Sequence, residues 1–182
     1  VRAARKAYEA ARDDANAKGQ YQQFAIEATR FEVAEYEDRV KNYPTDMHVR
    51  YELGRRYFAL KQYEEAISEF QKSQGDPRHR AASLSYLGRC FLIQEWLDMA
   101  IDTLRQGIEA HGSDSDERGM ELQYVLMEAL EKSAAETRSL EQATEAQRTA
   151  ARILQTNIKY RDIRECMDRI RKLVAELREE QK

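Results

Sequence analysis

A chain of 182 residues has room for one domain or one short run of repeats. Charged residues make up 35% and hydrophobic residues 42%, with only 7 Gly and 2 Pro, the make-up of an all-α protein with no alternating run fit for a sheet. The net charge of −3 gives no electrostatic reason to expect nucleic acid or an anionic membrane as partner. No apolar run approaches the roughly 20 residues that a membrane span needs.

Residues 1–11 are rich in Ala and Arg but lack the apolar centre of a signal peptide. The chain begins with Val, so it reads as a piece of a longer protein or a processed form. Residues 1–43 form an N-terminal helical segment. Ile26, Val33, Tyr36, Val40 and Tyr43 give it one apolar face, and Phe24, Ala28 and Phe31 give an adjacent stripe. Lys18-Gly19-Gln20 is the favoured break, which makes a helical hairpin. A single long helix is the alternative, because one helical Gly costs only about 1 kcal/mol relative to Ala. The weak heptad also allows pairing with another chain.

Shifting the sequence by 34 residues aligns 47–80 with 81–114. Leu53/Leu87, Gly54/Gly88, Arg55/Arg89, Ala66/Ala100 and Ile67/Ile101 are then identical, and Tyr57/Phe91, Phe58/Leu92 and Phe70/Leu104 keep their character. The physical expectation is that each Gly admits a bulky residue of a partner helix at close range, with each Ala serving the same end on that helix. Pro44 precedes the first unit, with Thr45 and Asp46 as candidate N-caps. Asp76-Pro77 reads as an N-cap followed by Pro at the first helical position, which starts the second unit a few residues early. The polar stretch 111–117 leads into a further helix, with Ser113 and Asp116 as a capping pair.

Leu53-Gly54, Tyr57, Ala66, Phe70 and Leu87-Gly88, Phe91, Ala100, Leu104 resemble the tetratricopeptide repeat pattern. The family's frequent Trp is replaced by Arg50 and Leu84, and its boundary Pro appears as Pro77 but is His111 at the next junction. The resemblance implies an all-α, right-handed α-solenoid of about three helical hairpins, residues 44–80, 81–114 and 115–156, with flanking N- and C-terminal helices. In the third unit Tyr124, Leu126 and Leu130 keep the spacing, but Met127 stands where the Gly belongs and an insertion at 133–139 displaces the second helix. Ser139 and Gln142 resemble a capping box ahead of the stripe Leu140, Ala143, Ala146, Ala150, Ile153 and Leu154. Residues 157–182 supply a polar-backed capping helix with the stripe Ile163, Met167, Ile170, Val174 and Leu177. Its approach, 157–163, looks like the ending of many bacterial repeat proteins of this kind.

No phosphate-cradling loop, HExxH, GxSxG or metal-spaced Cys/His cluster is present, so neither enzymatic activity nor a cofactor is expected. His48, His79 and His111 are far apart and read as surface residues. Cys90 and Cys166 read as reduced core thiols, which favours a cytoplasmic setting. Trp96, Tyr63 and Leu97 read as packing near the turns between paired helices.

What remains is a surface. The resemblance implies that the first helices line a concave groove for a protein or peptide partner. It carries Tyr51, Arg55 and Phe58, then Ser85, Arg89 and Leu92, then Tyr124 and Glu128 onto that face. His48, Ala59, Ala82, Ile93, Glu121 and Glu131 flank them. Arg55 and Arg89 with aromatic neighbours suit an acidic ligand, against the reading in which both pair with internal carboxylates. Chaperone-binding members place Asn where Arg55 and Arg89 stand, which disfavours a chaperone tail. The rival to peptide binding is a homodimer or larger self-assembly through the helices in 27–43 and 160–182.

Overall fold

A computed structural model describes residues 15–181; the reading of residues 1–11 lies outside them. The described residues form eight helices and no strand. They are α1 (Ala15–Asn42), α2 (Met47–Ala59), α3 (Tyr63–Ser73), α4 (Arg80–Ile93), α5 (Leu97–His111), α6 (Glu117–Thr137), α7 (Leu140–Thr156) and α8 (Ile163–Glu180). The chain divides into two compact units, Val1–Ser73 and Gln74–Lys182.

In the first unit α1 runs through Lys18-Gly19-Gln20 without interruption, so the favoured break is absent. Nothing lies within 4 Å of where a Gly19 Cβ would sit. Keeping one glycine in the helix costs about 1 kcal/mol, which is less than nucleating a second helix. The later part of α1 packs on α2. Val33 is buried there, Arg56 donates to Glu32 at 3.1 Å, and the Tyr57 hydroxyl donates to Glu37 at 2.6 Å. Asp46, not Thr45, caps α2: its carboxylate accepts from the backbone N–H of His48 and Val49 at 3.0 and 3.1 Å. In the α2–α3 hairpin a Cβ on Gly54 would lie 2.8 Å from the Phe70 ring. Phe70 and Ala66 are fully buried. Burial of a side chain of Phe70's size contributes about 1.5–3 kcal/mol, so the glycine is what lets that contact exist.

The second unit repeats this geometry. A Cβ on Gly88 would come within 2.6 Å of Leu104 Cδ2, and Ala100 and Leu104 are fully buried. The hairpin turns also match: Lys61 and Glu95 are left-handed, with φ of 61° and 62°. That conformation costs a non-glycine residue roughly 1 kcal/mol, and the turn imposes it at the same place in both repeats. Asp76-Pro77 does not open α4, which begins at Arg80. The Asp76 carboxylate accepts from the Arg78 N–H at 3.0 Å and its carbonyl from His79 N–H at 3.0 Å, so it stabilises a turn ahead of the helix.

Asp116 alone caps α6, accepting from Gly119 N–H at 2.7 Å; Ser113 instead presses its carbonyl on Gly119, where any side chain would collide. Met127 is fully buried on α6, and the small residues of this pair lie on α7 as Ala143, Ala146 and Ala150, all fully buried. The close-approach role has moved from one helix of the hairpin to the other. Ser139 caps α7 at 3.3 Å from Gln142 N–H, but the box is one-sided. Gln142 Oε1 accepts from the Ser133 and Thr137 hydroxyls at 2.9 and 3.2 Å instead of reaching back to the cap. α8 packs on α7 and buries Ile163, Met167, Ile170, Val174 and Leu177. Cys90 and Cys166 are free, buried thiols. Leu97 is buried, whereas Trp96 packs one face 5.8 Å from Phe91 and keeps 48% of its surface exposed.

Candidate functional site

The expected surface residues fall in both units, and each unit organises its own set. In the first, Arg55 projects from α2 with its guanidinium 3.0 Å from Glu52 and 5.9 Å from the Tyr51 ring. Tyr51 is buried, 6.0 Å from Phe70, so it acts as a wall of the hairpin more than as a contact surface. Phe58 is half-buried, edge-on to Tyr63 at 5.6 Å. His48 and Ala59 are exposed. Glu52, which the motif reading passed over, sits between two arginines and bonds both Arg55 and Arg56. Burial alone would raise its carboxyl, but hydrogen bonds and charge from Arg55 and Arg56 hold it below the ordinary value.

In the second unit α4 lies beside α6, so first helices of successive repeats meet. Arg89 crosses from α4 to ion-pair with Glu121 of α6. Ser85 and Ala82 are buried, Leu92 is half-buried, and Ile93 is exposed. Arg55 and Arg89 are therefore each matched by a carboxylate of their own unit. Each carboxylate is shared, Glu52 with Arg56 and Glu121 with Arg161.

Tyr124 is buried and donates its hydroxyl to Asp162 Oδ1 at 2.6 Å, with Cys166 Sγ 3.8 Å away. Burial and that bond push its hydroxyl well up, and the same bond holds the Asp162 carboxyl down. The α7–α8 connection brings three further residues that the motif reading did not assign to the site. Tyr160 lies edge-on to Tyr124 at 5.9 Å. Arg161 places its guanidinium 4.7 Å from the Tyr124 ring, 5.3 Å from the Tyr160 ring and 3.4 Å from Glu121. Asp162 completes the set. Arg161 adopts a φ of 44°, a backbone shape that nothing in its side-chain type announces. The Glu131 carboxylate accepts from the Nε–H and an Nη–H of Arg169, at 3.0 and 3.1 Å. Glu128 is half-buried, and burial pushes its carboxyl above the ordinary value while Arg161 opposes the shift.

Among the described residues no group of His, Cys, Asp or Glu is placed to hold a metal ion, and no helix is long and apolar enough to cross a membrane.

No family model matches the sequence. No curated protein matches it either. Solved structures do. The chain is similar to YrrB, described as a TPR protein with an unusual peptide-binding site, with a TM-score of 0.62 at 17% identity, over 96% of this chain and 88% of that one. It is similar to MamA with a TM-score of 0.56 at 16% identity, over 92% and 95% of the two chains. It is also similar to the TPR-like repeats of a putative kinesin light chain from Podosopora anserina, with a TM-score of 0.53 at 19% identity, over 96% of each. At such identities the likeness is one of fold. The chain has an all-α fold of the tetratricopeptide-repeat type.

Proposed function

We propose that this chain is a protein–protein interaction module with no bond-making step of its own. A protein or peptide segment lies along the neighbouring first helices α4 and α6 of the second unit, and α2 offers the corresponding surface within the first. One observation carries this reading: on and beside those helices charged side chains are held in place by partners of their own unit, against buried tyrosine rings, and stay partly accessible. Arg55 beside Tyr51 is one case, and Arg89, Glu121 and Arg161 around Tyr124 are the other. Side chains ordered before binding lose less entropy on complex formation, which is how a rigid repeat surface gains affinity. The arginines orient neighbouring groups.

The test is photo-crosslinking from benzoylphenylalanine placed at Ala59 and Ile93, exposed positions at the ends of α2 and α4. Controls carry it at Ser68 and Asp102, exposed on the second helices α3 and α5. One protein captured from positions 59 and 93 but not from 68 and 102 supports the reading. Equal capture from all four positions overturns it.

A second reading, self-assembly, is favoured by one observation. Phe24 and Phe31 on α1 are 62% and 68% exposed, one stripe of large apolar side chains open to solvent. The C-terminal helix offers no matching face, because the α8 stripe is spent within its own unit. A mass by light scattering that stays monomeric at high concentration rules out this second reading.

A further inference from the structure

Glu121, Tyr124, Glu128 and Glu131 recur at three- and four-residue steps along α6, so they form one stripe on that helix. Arginines from neighbouring elements answer two of its three carboxylates. Glu121 takes Arg89 of α4 and Arg161 of the α7–α8 connection, and Glu131 takes Arg169 of α8. Glu128 stands between them, half-buried, and makes no ion pair within 4.0 Å among the described residues. Tyr124 hydrogen-bonds it and the charge of Arg161 reaches it from beyond ion-pair distance, yet burial outweighs both and pushes its carboxyl up.

Charge around the stripe leaves the same gap. Glu121, Glu128, Glu131 and Asp162 are four carboxylates; Arg89, Arg161 and Arg169 are three guanidiniums. One cation restores the balance. Arg161 shows the chemistry that suits the place: its guanidinium lies over two tyrosine rings, at 4.7 and 5.3 Å, while touching a carboxylate. The side chain remains 43% exposed, so the aromatic and acidic surface it covers borders solvent.

Resting on the reading of this chain as an interaction module, we propose that the α6 stripe binds an arginine side chain of a partner segment, the incoming guanidinium seated on Glu128 beside Tyr124 while Arg161 holds the neighbouring place on Glu121. The partner contributes the missing cation of a row in which every other carboxylate is already paired. Affinity comes from a charge-assisted hydrogen bond, and selectivity over a neutral side chain from the desolvation of Glu128.

The test titrates the isotope-labelled full chain with the capped peptide acetyl-Gly-Ser-Arg-Ser-Gly-amide, and with its counterpart carrying citrulline, isosteric but uncharged, in place of Arg. The expected result is saturable shifts of the Tyr124 and Tyr160 ring resonances with the arginine peptide and none with citrulline. Glu128→Gln should weaken binding at least about tenfold, the ratio that follows from losing one charge-assisted hydrogen bond. Glu109→Gln, exposed on α5, should leave binding unchanged. Circular dichroism confirms that both variants stay folded. Arg161→Ala, which removes a nearby positive charge, should bind no more weakly than the native chain. Equal shifts from citrulline, binding by Glu128→Gln within about twofold of native, or shifts confined to other residues overturn the proposal. If they do so while crosslinks from positions 59 and 93 still capture one protein, the interaction reading stands and only the arginine assignment falls.

Discussion

Gly88 is the position where the repeat pattern makes its sharpest physical claim. A methyl group there would come within 2.6 Å of Leu104 Cδ2, and Leu104 is fully buried with nowhere to retreat. Overpacking of this kind costs about 1–3 kcal/mol. Replacing a mid-helix glycine by alanine returns about 1 kcal/mol of helix propensity, so Gly88→Ala should destabilise the second unit by up to about 2 kcal/mol. Leu104→Ala alone should cost about 2–5 kcal/mol. In the double variant the new methyl occupies part of the vacated space, and the combined loss should fall short of the sum by about 1–3 kcal/mol. Trp96 is the single tryptophan and lies in the second unit, so urea unfolding followed by its fluorescence reads the right part of the molecule. Gly19→Ala is the control of opposite sign. It sits in open space within α1 and should stabilise by up to about 1 kcal/mol, read by circular dichroism. A Gly88→Ala variant more stable than the native chain by the full propensity gain of about 1 kcal/mol, or a cycle additive to within about 0.5 kcal/mol, would refute the close-approach argument.

Other expectations follow from single contacts. Asp46→Ala removes the carboxylate that accepts two N–H groups at the start of α2, and should cost about 1 kcal/mol in a thermal melt; no change would show that water replaces the cap. Glu52 has a folded value below its unfolded one, so its stabilisation is present above the unfolded value of 4.5 and is lost as pH falls through the lower folded value. Glu52→Gln should therefore lower stability at neutral pH and flatten the decline in acid, measured by melts from pH 7 to pH 3. Burial pushes the Cys90 thiol up to about 12, and Cys166 is buried too. A disulfide reagent at pH 8 should accordingly modify neither until urea unfolds the chain; prompt reaction in the native state would contradict the buried placement.

Much of the fold was legible because its determinants are local. The Leu-Gly pairs, Ala66, Phe70, Ala100 and Leu104 recur with the 34-residue period, and the structure uses them as hairpin contacts. The α8 stripe was legible for the same reason. Errors arose where two local rules competed. Asp76-Pro77 fits a helix start, but the backbone there closes a turn first. Gln142 fits a capping box, but Ser133 offers its hydroxyl as a better partner. Lys61 and Glu95 were not recognisable as left-handed because neither is Gly or Asn, the residues that usually mark that shape.

The site was less legible than the fold. Arg55 and Glu52 are three residues apart on one helix, so their pairing lay within reach of the sequence. Arg89 and Glu121 are separated by 32 residues, and Tyr124 and Asp162 by 38. Such pairs form only once the repeats have stacked and the α7–α8 connection has folded back, and no periodicity encodes them. Arg161 was part of a recognised ending but carried no sign that it would lie across two tyrosines.

Hydrogen–deuterium exchange of the full chain, alone and with the protein captured by the crosslinks from positions 59 and 93, tests the central claim most directly. The account predicts slower exchange on binding in α2, α4 and α6, with α3, α5 and α7 unchanged. Protection confined to α1 or α8, or to the second helices of the hairpins, would contradict it.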